Sequence, residues 1–73
     1  MNWQTYKTGM NHLASVFSRN TESDTAKAML EAYYHHLKDI PAKEWEKIIE
    51  RASKTYSAWP SIRNLFEVWV PQD

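Results

Sequence analysis

With 73 residues, no cysteine, and nine basic side chains against nine acidic ones, the chain has room for one modest core and no disulfide to staple it. The missing cysteines exclude thiolate zinc sites and thiol catalysis, and the cancelled charge argues against a dedicated nucleic-acid binder or a polybasic membrane module. Apolar burial must therefore carry the fold, and four Trp, four Tyr and two Phe suit that task, a buried large side chain contributing about 1.5–3 kcal/mol. A single glycine, sparse β-branched residues and plentiful Ala, Lys and Glu bias the backbone towards helix. No apolar run approaches the ~20 residues of a membrane span. The opening MNWQTYKTGMN has neither the charged leader nor the apolar stretch of an export signal. A single soluble, cytoplasmic domain over residues 1–73 is the expectation.

Four helices are predicted, over about 2–18, 24–39, 41–56 and 61–69. In the first, Trp3, Tyr6, Met10, Leu13, Ala14 and Phe17 recur at steps of three and four and share one face, with Val16 to the side. Asn2 is its N-cap. Gly9 weakens its middle by roughly 0.5–1 kcal/mol relative to Ala, so this helix depends on its packing. Ser18 to Thr25, SRNTESDT, is polar and reads as a loop that ends in a cap at Ser23 or Asp24.

The second helix carries a stripe of Ala26, Met29, Leu30, Tyr33, Tyr34 and Leu37, with Tyr34 at its rim. It stops near Asp39, since the residue before Pro41 is pushed out of helical geometry. With Pro41 as the next cap, Ile40 and Trp45 occupy the two positions of a hydrophobic staple. Trp45, Ile48, Ile49, Ala52 and Tyr56 then line one face of the third helix. Pro60 and Ser61 announce a short last helix, in which Ile62, Leu65 and Phe66 are expected to close the core while Trp59 and Trp69 border it. Val70 before Pro71 ends that helix. The only strand candidate, VWV at 68–70, has no partner in the sequence. The fold class is therefore all-α: a small bundle of three main helices plus a short C-terminal one.

Sites of chemistry are harder to find. His35 and His36 are adjacent, so on a helix they point about 100° apart; only His35 with Asp39 has helical ligand spacing, and a metal needs more ligands than that pair. Glu44, Glu46 and Glu50 lie on a helix of alternating charge, with Glu50 placed to pair with Lys54. No Ser or Thr sits in a nucleophile motif and no glycine-rich loop could hold phosphate. No catalytic residue, cofactor or metal is expected. Lys43, Lys47, Arg51 and Lys54 form a narrow basic arc opposite the apolar face of the third helix. It is the solvated back of an amphipathic helix or a docking stripe for an acidic partner or a weak nucleic-acid contact. Ten aromatics are many for one small core, and Tyr34, Trp59 and Trp69, at stripe edges or helix ends, are the candidates to meet a protein partner.

The stretch AYYHHLKDIP running into AKEWEKIIERASKTY and then AWPSIRNL resembles the small helical domain of the phage-encoded loader and inhibitor of the replicative helicase. That family shows an aromatic pair followed by Leu and a short Asp–apolar turn, a helix with alanine on its inner face, and an aromatic–proline–small–apolar corner. Tyr33, Tyr34, Leu37, Asp39, Ile40, Ala52, Trp59, Pro60, Ser61, Ile62 and Leu65 match it. A second proline is common in the family where Ser61 stands here, and family members continue into a flexible tail implicated in gripping the helicase. The resemblance implies a non-catalytic replication accessory protein whose partner is a DnaB-type helicase or its loader. The alternative from the residues alone is an interaction domain of unrelated descent, a homodimer with Trp59 and Trp69 packed across a twofold axis.

Overall fold

The structure, a computed structural model, describes residues 1–69. Four helices follow in chain order: α1 over Trp3–Val16, α2 over Asp24–Leu37, α3 over Ala42–Thr55 and α4 over Ile62–Val68. No strand occurs among the described residues, so the fold is all-α with three main helices and a short fourth. Val70 and Pro71, expected to end the last helix, lie outside the described residues.

Each start is chemically set. The Asn2 side chain accepts the Thr5 N–H at 2.8 Å, and the Ser23 hydroxyl accepts the Ala26 N–H at 3.1 Å. Ser61 and Asn64 form a reciprocal capping box at α4, both bonds 3.1 Å. Pro41 caps α3 without a side-chain bond, and here the flanking Ile40 and Trp45, each 1% exposed, supply the staple. The ends fall earlier than the periodicity suggests. Helix α1 stops at Val16 because Ser18 turns left-handed, with φ of 53°. The Arg19 N–H then reaches back to the Ala14 carbonyl at 2.8 Å and the Ser18 N–H to Ser15 at 3.5 Å, the bond pattern of a Schellman end that usually has glycine at the turning residue.

The core comprises Tyr6, Met10 and Leu13 of α1, Leu30 and Leu37 of α2, Trp45, Ile48, Ile49 and Ala52 of α3, Leu65 of α4, and Ile40 from the turn before α3. Helix α1 packs chiefly on α3, which also carries α4. The closest approach is at Gly9. A β-carbon there would lie 2.3 Å from Trp45 Nε1 and 2.9 Å from Ile49 Cγ1, so the indole occupies the space a side chain would need. Gly9 was expected to be a weak point in α1. It is the seat on which α3 rests.

Three residues depart from the expected burial: Ile62, expected to help close the core, is only half-buried, and two others are exposed. Trp3, read as part of the inner stripe, is 40% exposed, and Phe66, read as closing the core, is 39% exposed. Trp3 belongs to the first turn of α1, where the helix has begun to leave α3, and it rests its ring against Tyr6 and Tyr34 instead. Phe66 sits about 100° around α4 from Leu65, which alone is fully buried there; a two-turn helix buries one edge, not a broad face.

All four tyrosines tie one element to another through the hydroxyl. Tyr6 donates to the Leu30 carbonyl, Tyr33 to Pro60 at 3.0 Å, Tyr34 to Met1 at 3.3 Å and Tyr56 to Asn64 at 3.0 Å. The Met1 ammonium in turn donates to the Lys38 and Ile40 carbonyls at 2.6 and 3.1 Å, where the end of α2 leaves backbone acceptors free. Burial, with a smaller contribution from Tyr33, holds the Tyr6 phenol well above the ordinary tyrosine value.

Three predictions follow from these contacts. Gly9→Ala should destabilise by about 1–3 kcal/mol through overpacking, outweighing the ~0.5–1 kcal/mol that alanine gains in helix propensity; urea unfolding followed by far-UV circular dichroism reads it, and a variant as stable as wild type would refute the close contact. Ser18→Gly should relieve the left-handed turn and add about 1 kcal/mol, a rise in melting temperature of roughly 4–8 °C for a domain of this size. The fold accepts the Tyr6 phenol only as the neutral form, so stability from this group is constant below the unfolded value near pH 10 and is lost as pH rises above it. Tyr6→Phe should cost about 1 kcal/mol at neutral pH and should make the alkaline loss of stability shallower than in wild type.

Candidate functional site

The three aromatics expected to meet a partner are placed separately. Tyr34, on the last turn of α2, packs at 5.2 Å edge-on to Trp3 and 5.0 Å from Tyr6, at the start of α1. Trp59, in the α3–α4 connection, packs edge-on to Phe17 at 6.5 Å, at the other end of α1. The ends of that 14-residue helix are about 20 Å apart at 1.5 Å per residue. Trp69, at the end of α4, lies 6.2 Å from Phe66. All three are half-buried and rest against the core. They form three local aromatic sites rather than one anchor.

Each site has a neighbour that periodicity did not identify. Trp3 is the more exposed partner of Tyr34, and Lys7 Nζ lies 5.9 Å from its ring. Phe66 is the more exposed partner of Trp69. Trp59 is covered by the Arg19 guanidinium, 5.4 Å from the ring centre, a cation–π contact. The left-handed Ser18 delivers Arg19 to that place. The Trp59 indole N–H is buried and finds no hydrogen-bond acceptor among the described residues. Beneath Trp59, the buried Pro60 is fixed to α2 by the Tyr33 hydroxyl. This corner thus combines a Trp, an Arg and a Phe, of which the first two are enriched among residues that dominate protein–protein binding energy. The only sequence sign of the Arg19 contact was its position at the end of α1, and nothing in the spacing pairs it with residue 59.

The basic arc is only partly available. Lys47 pairs with Glu44 at 3.4 Å and Lys54 with Glu50 at 3.0 Å, both well exposed and therefore worth little individually. Arg51 turns inward: its Nη1 donates to the Val68 carbonyl at 3.1 Å. That carbonyl belongs to the last turn of α4, where backbone acceptors are unsatisfied and a cation complements the helix dipole. Lys43 has no ion-pair partner among the described residues. Two members of the arc, Lys47 and Lys54, are thus paired with glutamates, and a third, Arg51, serves the fold.

His35 and His36 are exposed on α2, and Asp39 is exposed in the turn beyond its end. No cluster of metal-binding side chains occurs among the described residues. An open groove of about 700 Å³ lies between α1 and α3, with Gly9, Trp45 and Ile49 at its base and Gln4, His12 and Glu46 on its walls. The Trp45 indole N–H has no acceptor and is itself sealed from solvent. No helix among the described residues is long and apolar enough to cross a membrane.

No protein-family model, curated protein or solved structure matches the chain.

The Arg51 bond makes a local prediction. Arg51→Met keeps the aliphatic stem and removes the donor, which should cost about 1–2 kcal/mol and raise hydrogen exchange selectively at the amides of α4. Uniform loss of protection across all four helices would show instead that Arg51 acts on the whole fold.

Proposed function

We propose that this protein is a non-catalytic accessory of phage or prophage DNA replication that works in the cytoplasm by binding a DnaB-type replicative helicase or its loader. Its mechanism is occupancy: a rigid helical head covers or delivers its target and performs no chemistry of its own.

The observation that carries this reading is the corner at Trp59. The motif that resembles the helicase-loader family runs through Tyr33, Leu37, Ile40, Ala52, Pro60 and Leu65, and these residues form one packed unit, with Pro60 tied to Tyr33 and Ile40, Leu37, Ala52 and Leu65 in the core. Such a unit holds Trp59 at the surface between Phe17 and Arg19 at little further entropic cost on binding. A rigid aromatic beside an arginine suits recognition of a protein surface. The neutral overall charge and the paired lysines of α3 favour a protein over nucleic acid as the partner.

A second reading, a homodimer of unrelated descent, draws on the exposed Phe66 beside Trp69. That homodimer was expected to use Trp59 as well as Trp69, so Phe66→Ser, which leaves Trp59 in place, is the change that separates the two readings.

Purified DnaB-type helicase hexamer and its loader, each titrated against the chain in a direct binding assay, test the proposal. Wild type should bind one of them. Trp59→Ala should weaken that binding at least about tenfold, the loss expected of a hot-spot residue, while its far-UV spectrum stays helical. Arg19→Ala, which leaves the core untouched, should give a smaller loss. Phe66→Ser should leave helicase binding unchanged. Absence of wild-type binding to both proteins overturns the proposal, and a concentration-dependent dimer abolished by Phe66→Ser would establish the second reading in its place.

A further inference from the structure

We draw no further inference here: the strongest candidate, the open groove of about 700 Å³ between α1 and α3 above Gly9 and Trp45, has walls of mixed Gln, His and Glu character that select no class of ligand, its buried indole N–H is sealed from solvent, and nothing in the structure shows what covers it.

Discussion

The seating of the Trp45 indole on the bare backbone of Gly9 is the contact on which the other helices depend. It lets α1 and α3 approach more closely than any pair of side chains at these positions would permit, and Tyr6 closes over the same indole at 5.6 Å. The arrangement has two costs. Glycine weakens the middle of α1, and the indole N–H, with no acceptor among the described residues, forgoes a bond whose loss costs about 1–3 kcal/mol. Full burial of the largest side chain, with tight dispersion contacts against two helices, offsets them. With α1 and α3 set as one unit, α4 can lie along α3, and α2 can pack over α1.

A second layer of order comes from hydroxyl groups. In a domain this small, apolar burial alone leaves little margin over conformational entropy, and a disulfide is not available. The four tyrosines take over the stapling. Each spreads a large apolar ring against the core and then places a hydroxyl on a backbone carbonyl of a distant segment. The carbonyls chosen are not arbitrary. Pro60 and Met1 lie outside helices, and their acceptors would otherwise need water. Arg51 does the same for the end of α4. Cross-ties of this kind fix relative helix positions, which non-directional hydrophobic contacts leave free.

Much of this was readable from the residues. The apolar stripes on α1, α2 and α3, the caps at Asn2, Ser23 and Ser61, the staple across Pro41 and the Glu50–Lys54 pair all follow from periodicity and local chemistry, which act within four residues. What periodicity missed depends on contacts between helices. The exposure of Trp3 is decided by how α1 packs on its neighbours, and that of Phe66 by how narrow an edge of the two-turn α4 is buried. The role of Gly9 is decided by the residue opposite it, 36 positions later in the chain. Arg51 looked like one more solvated cation because the carbonyl that receives it belongs to another helix. Ser18 gave no sign of left-handed geometry, since Gly or Asn is the residue type that signals it.

The placement of the family-like positions bears on where recognition can reside. Leu37, Ile40, Ala52, Pro60 and Leu65 are buried, and Tyr33 has its hydroxyl committed to Pro60. These buried members of the pattern hold a shape, while its Asp39 and Ser61 are exposed and its Tyr34, Trp59 and Ile62 half-buried. A pattern made of them is a statement about architecture, and unrelated partners can be served by one architecture. Around the pattern, Phe17 and Arg19 lie beside Trp59, Phe66 beside Trp69, and Trp3 beside Tyr34. Trp59 under the Arg19 guanidinium and Trp3 beside the Lys7 ammonium both join a ring to a cation, and the Trp59 site adjoins the buried Pro60. There the Trp59 ring packs edge-on to Phe17 at 6.5 Å beneath the Arg19 guanidinium. Trp3, 40% exposed, packs on Tyr6 and Tyr34, and Phe66, 39% exposed, packs on Trp69. What distinguishes the corner is therefore packing: Trp59 is half-buried next to Pro60, which is itself buried and held to α2 by the Tyr33 hydroxyl.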